Sequence, residues 1–250
     1  MKRKAILTIV LVIIAMAVMI RLGFWQLDRL AQRRTFNADV TAQLQASPLT
    51  VADLTGSTDL SGLNYRSIVL RGRYDYSQQV ALNNQEWNAQ PGVHLITPLV
   101  LDDSDQAVLV DRGWIPYSQS DSTKWSQFAE SEIVEVRGRI LQSQTSPLGA
   151  PAGVTHQTTW FRVDILALQK QISHRLVPIY VQQFPDSAWK NLPYRSDVNL
   201  DLTEGPHLGY ALTWFSFTAI LGIGSLGYVV SKRRLPIRPQ SQSQAQIVQP

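Results

Sequence analysis

The feature that most limits what this chain can become is a pair of long apolar runs, one near each end. Residues 5–25 are interrupted by a single charge, Arg21, and residues 208–230 carry none. At 1.5 Å per helical residue each run reaches about 32–35 Å, enough to cross a hydrocarbon layer of about 30 Å. Arg21 lies near the far end of its run, where a long side chain snorkels to the headgroups. Lys2, Arg3 and Lys4, ten apolar residues and Ala15-Met16-Ala17 imitate a cleavable secretory signal. The apolar character continues through Val18, Met19, Ile20, Leu22 and Phe24 to Trp25. An uncleaved anchor is therefore the expected form, and a cleaved signal the alternative.

The flanking charges orient the second run. Lys232, Arg233, Arg234 and Arg238 follow it, whereas Asp197, Asp201 and Glu204 precede it, so its C-terminal end is expected in the cytoplasm. The first run is ambiguous alone, because Arg21, Arg29, Arg33 and Arg34 rival Lys2, Arg3 and Lys4. Two spans put both termini on one side and the intervening residues outside. No Arg- and Ser-rich transit segment precedes the first run, which favours a bacterial inner membrane and a periplasmic middle. The net charge of +4 and pI near 9.4 follow the same division. Residues 1–21 and 231–250 hold 8 basic side chains and no acid, against 15 basic and 19 acidic between them. The basic balance records topology, and without a basic patch in the middle no nucleic-acid partner is expected.

The middle reads as short strands with little helix. Residues 133–140 alternate cleanly, with Val134, Val136 and Ile140 on one face and Glu135, Arg137 and Arg139 on the other. Similar runs cover 67–74, 93–101, 107–115, 159–163 and 177–182. Pro98, Pro116, Pro147, Pro151 and Pro178 are expected at strand ends or edges, and Asp164 is expected to cap a short helix over 165–172. An Arg-Gly-Arg echo at 71–73 and 137–139 suggests bulges. The residues after Arg234 are rich in Pro, Gln and Ser and are expected to be disordered. The fold class is thus an α+β membrane protein, with N- and C-terminal transmembrane helices flanking a mainly antiparallel β periplasmic domain. Its segments are 1–25, 26–206, 207–231 and a basic tail, 232–250.

The residues restrict the chemistry. With no Cys there can be no disulfide, thiolate zinc site, Fe–S cluster or thioether-linked haem. No nucleophile elbow, His-Glu-x-x-His or phosphate-cradling Gly loop is present, and the four His are scattered; no enzyme activity is expected. His207, Tyr210, Ala211 and Trp214 share one face at the start of the second run, continued by the small residues Thr218 and Gly222. Two readings stand: a helix cap with an aromatic belt, which is the plainer, or an imidazole ligand for a flat lipophilic metal cofactor flanked by Tyr210 and Trp214. On the first run Arg21, Trp25 and Arg29 share a face and suit either lipid headgroups or carboxylates such as porphyrin propionates. Arg112, within Asp111-Arg112-Gly113-Trp114, is expected to pair with Asp111 or another acid, with Trp114 in the core.

Taken in order, several segments resemble the Surfeit locus (Surf/Shy) family of cytochrome c oxidase assembly factors. They are Leu22-Gly23-Phe24-Trp25-Gln26-Leu27-Asp28-Arg29, Tyr65-Arg66, Arg71-Gly72-Arg73-Tyr74-Asp75 and Gly92-Val93-His94-Leu95-Ile96-Thr97-Pro98-Leu99. Val110-Asp111-Arg112-Gly113-Trp114-Ile115-Pro116, Tyr180-Val181-Gln182-Gln183 and Gly205-Pro206-His207-Leu208-Gly209-Tyr210-Ala211-Leu212-Thr213-Trp214-Phe215 complete the set. The resemblance implies a role in oxidase maturation around the insertion of haem a into subunit I. Non-covalent haem a binding is implied too, with His207 as the metal ligand and His207, Tyr210, Trp214, Arg29, Trp25 and Arg112 as the cofactor-binding set. The implied partners are oxidase subunit I, haem a synthase and the bilayer; the alternative is a structural factor that steadies subunit I without holding haem. The chain departs from the family pattern at Asp111, where Asn is frequent, and at Pro206, where a polar residue is common.

Overall fold

The computed structural model describes residues 3–55, 59–102, 104–130, 132–145 and 156–233. Pro147, Pro151 and the tail after Arg234 lie outside them. The chain divides into two compact units, Met1–Asn37 with Thr203–Pro250, and Ala38–Leu202.

The helical unit pairs helix α1 (Arg3–Gln45) with helix α4 (His207–Arg233). Both are long and apolar enough to cross a membrane. Helix α1 does not stop at Trp25, where the apolar run ends. It continues through residues 26–45, making it about 65 Å long. Hydropathy marks where a helix leaves the bilayer, while helix termination needs a breaker. None occurs before Ser47-Pro48, where proline forces the preceding residue out of the helical region. Residues 26–45, expected to begin the strand-rich region, are thus helical.

Small residues set the spacing of the pair. Ala211 is 1% exposed and Thr218 is buried. A Cβ on Gly222 would sit 3.1 Å from Met16 Cε, and one on Gly23 only 2.6 Å from the Phe215 ring. Phe24 meets Phe215 edge-on, with centroids 5.5 Å apart. Met16, Met19, Gly23, Gln26, Leu30, Arg33 and Asn37 recur at alternating steps of three and four. That is the spacing of a coiled-coil seam.

The second unit is a closed barrel. Strands β1 (Ser67–Tyr74), β2 (Val80–Trp87), β3 (Gln90–Leu101), β4 (Gln106–Pro116), β5 (Val134–Gln142), β6 (Thr159–Trp160) and β7 (Arg175–Gln183) form one sheet. Its order is β1-β5-β7-β4-β3-β2-β6, and β1 also pairs with β3, so five strands close on themselves. Closure removes the exposed edges of those strands. Pairing is mainly antiparallel, with β4–β7 and β2–β6 parallel. Leu70, Leu99, Val108, Val110, Val136, Ile140, Ile179 and Val181 fill the interior, and helix α2 (Val51–Thr55) adds Leu54. A second apolar layer lies where helix α3 (Ile165–Leu168) covers β4 and β7 through Ile165 and Leu168. Asp164 caps α3 by accepting from Ala167 N, as the sequence suggested.

Several local expectations change. Pro98 and Pro178 lie inside β3 and β7 rather than at their ends, while Pro116 does close β4. The Arg-Gly-Arg glycines are not bulges: Gly72 pairs with both Val134 and Leu101, and Gly138 with both Ile68 and Gln183. A Cβ at either position would strike a carbonyl of the neighbouring strand, Val100 and Gln182 respectively. Strand β2 has no clean alternation because its register shifts between Leu82 and Gln85. It joins β3 through Asn88-Ala89, both at positive φ, a tight hairpin without the usual glycine.

Candidate functional site

The approach to α4 is held by residues 33–37 of α1. Glu204 receives two hydrogen bonds from Arg34, at 2.8 and 2.9 Å. Arg33 Nε and Asn37 Nδ2 both donate to the Thr203 carbonyl, at 3.0 and 3.3 Å. Gly205 turns the chain at φ +68°, a conformation that favours glycine. Pro206 then opens the helix, its carbonyl accepting from Tyr210 N at 3.1 Å. Proline is favoured there because its missing N–H would have no intrahelical partner.

These contacts deliver His207 to Gln26. Its Nδ1 lies 2.8 Å from Gln26 Oε1. An amide oxygen can only accept, so in this contact the ring N–H at Nδ1 donates to it. A Cβ on Gly205 would stand 3.6 Å from that Nε2, so the glycine leaves the nitrogen uncrowded on that side. The result is a half-buried imidazole held through one ring nitrogen.

Four further sequence candidates lie on the same two helices. Trp214 lies two turns along α4, half-buried and edge-on to Phe217. Tyr210 is 53% exposed and lies off the stripe marked by Ala211 and Thr218. Trp25 precedes Gln26 on α1 and is 46% exposed. Arg29 is exposed and donates to Gln32 Oε1 at 2.9 Å. Among the described residues no group of three His, Asp or Glu side chains could hold a bare ion.

Arg112 belongs to the barrel unit and is fully buried. Its partner is Glu130, not Asp111: Nη2 and Nε donate to Glu130 Oε1 at 2.9 and 3.2 Å. Nη1 donates to Gln79 Oε1 at 3.0 Å, and Nη2 also donates to the Phe128 carbonyl. The guanidinium lies 4.9 and 5.0 Å from the Tyr74 and Tyr76 ring centroids. Arg195, which packs 4.3 Å from the Trp189 ring centroid, donates to the same Glu130 oxygen at 2.8 Å. Burial, with the Glu130 charge adding to it, pushes the Tyr74 hydroxyl far above its usual range. Trp114 is core, as expected, stacked on Tyr194 at 6.1 Å. Gly113, at φ +117°, lets Trp114 and Tyr194 exchange two backbone hydrogen bonds at 2.8 and 2.9 Å.

Asp111 is also buried. It pairs with His94 Nδ1 at 2.8 Å and accepts from Gly113 N at 3.0 Å. Burial pulls the His94 pKa down, but the Asp111 charge and hydrogen bond outweigh it and hold the pKa above its ordinary value. Gln26, Glu130 and His94 were not singled out from the sequence. Gln26 and His94 both lie in segments that carry the family resemblance, and Gln26 also falls in the seam spacing with Gly23 and Leu30; Glu130 carried no signal.

Comparison with known proteins places this arrangement. A family model described as the SURF1 family matches residues 13–219. A SURF1-like protein of Rickettsia conorii is 26% identical over 228 residues, covering 90% of each chain. A SURF1-like protein of Monosiga brevicollis is 23% identical, covering 80% of this chain and 78% of its own. Surfeit locus protein 1 of Xenopus tropicalis is 22% identical, covering 79% and 68%. The matched span takes in most of the first apolar helix, the whole barrel and the His207 turn, so the chain belongs to the SURF1 family.

Proposed function

We propose that this protein is a cytochrome c oxidase assembly factor of the bacterial inner membrane. It holds haem a non-covalently as cargo and assists its insertion into oxidase subunit I, with no enzymatic step of its own. The carrying observation is the imidazole of His207, tied through Nδ1 to Gln26 with Nε2 left free. A farnesylated haem partitions into lipid, so its carrier should grip it at the bilayer surface, where α4 begins. His207 Nε2 is the atom that would hold the iron of such a cargo. Trp214 and Tyr210 on α4 and Trp25 on α1 offer aromatic surface to a flat ring, and Arg29 offers a guanidinium to a propionate. Arg112 has no part in this grip, because it is fully buried in the barrel unit and four of its five N–H groups donate to Glu130, Gln79 and the Phe128 carbonyl. With no Cys, capture through thioethers cannot occur and release stays open.

Both termini face the cytoplasm and the barrel faces the periplasm. Alkaline phosphatase fused after residue 250 therefore stays inactive, and a fusion at residue 200 is active. Protein purified from cells that synthesise haem a carries a haem absorption band, and His207→Ala removes it. The second reading, a factor that steadies subunit I without holding haem, draws on the exposed Phe161 and Leu166 of the barrel unit. It predicts pigment-free wild-type protein that still co-purifies with subunit I.

A further inference from the structure

We propose that Gln26 is the positioning residue of the His207 site. Its amide oxygen selects the Nδ1–H tautomer, directs Nε2 to the ligand, and keeps the imidazole a weak enough donor for the cargo to leave. Two observations carry this. The first is the Nδ1···Oε1 distance of 2.8 Å between side chains 181 residues apart in sequence, so the pairing is tertiary. The second is the set of contacts that fixes both partners: Phe215 against Gly23 one turn before Gln26, and the Arg34–Glu204 pair three residues before His207. A free imidazole in water prefers the proton on Nε2, which would block that nitrogen as a ligand. A half-buried acceptor at Nδ1 reverses the preference and orients the ring, as the outer partners of metal-bound histidines do.

The chemistry of the acceptor sets the strength of the grip. A carboxylate beside Nδ1–H draws the proton toward itself and makes Nε2 a stronger donor. An amide oxygen carries no net charge and does this far less. A neutral acceptor therefore suits a carrier, which must release what it holds, and an acidic one suits a permanent haem site.

The inference rests on the proposed ligand role of His207 for its haem half but not for its tautomer half, and the test separates them. Full-length protein with nitrogen-15 histidine is examined in nanodiscs at pH 8, without haem. Wild type gives a His207 signal pair with Nδ1 protonated, and Gln26→Leu moves the population toward Nε2–H. Haem-loaded forms from cells that make haem a are then mixed with apomyoglobin. Gln26→Leu releases haem roughly 10- to 100-fold faster, the range typical for loss of such a partner. Gln26→Glu releases it more slowly than wild type and has a lower reduction potential. A wild-type His207 protonated on Nε2, or a tautomer indifferent to Gln26→Leu, overturns the proposal. So does a Gln26→Glu form that matches wild type in both release and potential. The expected tautomer signals in a protein that never acquires pigment support Gln26 as the positioning residue and overturn the haem reading instead. Helical circular dichroism unchanged from wild type shows that both variants keep the helix pair.

Discussion

Glu130→Ala is the most demanding test of the barrel unit. One carboxylate oxygen receives Arg112 Nη2 at 2.9 Å, Arg112 Nε at 3.2 Å and Arg195 Nη2 at 2.8 Å. The Arg112 side chain is 0% exposed and that of Arg195 6%, so neither can turn to water when the carboxylate is lost. Breaking a buried pair by removing one partner costs about 3–5 kcal/mol, because the charge left behind stays desolvated. Here two cations are stranded, which places the loss at the upper end, about 4–5 kcal/mol. Tyr74, Tyr76, Gln79 and the Phe128 carbonyl still face Arg112 and keep the figure from growing further. For a domain of this size each kcal/mol moves Tm by about 2–4 °C, so a fall of roughly 8–20 °C is expected. The assay is thermal unfolding of the full chain in detergent, followed by tryptophan fluorescence. Trp114 and Trp125 are both buried in the barrel unit and report its transition. Glu130→Gln keeps an acceptor oxygen and should fall between wild type and Glu130→Ala. In the Glu130→Ala background, Arg112→Met should recover part of the loss, because one stranded charge is gone. A fall in Tm under about 3 °C for Glu130→Ala, or further loss on adding Arg112→Met, would refute the reasoning.

Gly113→Ala places a Cβ against the Tyr194 carbonyl at φ +117°. It should cost about 1–3 kcal/mol in the same melt, with loss of the near-ultraviolet signal from the Trp114–Tyr194 stack. The raised His94 pKa makes the His94–Asp111 pair contribute stability in full below about pH 6.5, and lose it as pH rises through the folded value. Asp111→Asn removes the raising partner, so the variant should gain stability relative to wild type as pH increases; parallel stability–pH curves would count against the pairing. Asp197 has the opposite sign: hydrogen bonds from Arg139 outweigh burial and lower its pKa, so its contribution is present at neutral pH and lost as pH falls through the folded value. Asp197→Asn should therefore flatten the acid limb of the same curves. In the helix pair, Gly23→Leu forces the Phe215 ring aside. Because the chain has no Cys, Met16→Cys with Gly222→Cys can be joined by a short thiol crosslinker, and adding Gly23→Leu should reduce the yield severalfold.

Much of the scaffold could be read from one-dimensional pattern. The two apolar runs pointed to long helices, and both helices are long and apolar enough to cross a membrane. Alternation located β1 and β5 closely, because one face of each strand turns to the core, while β4, buried on both faces, was found from its run of apolar residues. Asp164 announced its helix, since a cap is a local interaction. Three features were hidden for three physical reasons. The extension of α1 carries no hydropathy signal, strand β2 is broken by a register shift, and Pro98 sits within β3 although proline usually marks an edge.

The site divides in the same way. His207, at the start of an apolar helix, was visible as a candidate from its own segment, and so were Trp214 and Tyr210. Sequence left two readings of that histidine open, because a single imidazole looks the same as a cap or as a ligand. What tertiary structure decided is the partner of each polar group. Gln26 lies 181 residues from His207, Glu130 lies 18 from Arg112 and 65 from Arg195, and Asp111 turned to His94 rather than to its neighbour. Local sequence fixes periodicity, caps and breakers, which depend on residues within a turn or two. The choice among acceptors depends on which side chains packing brings within 3 Å, and for that the folded chain has to close.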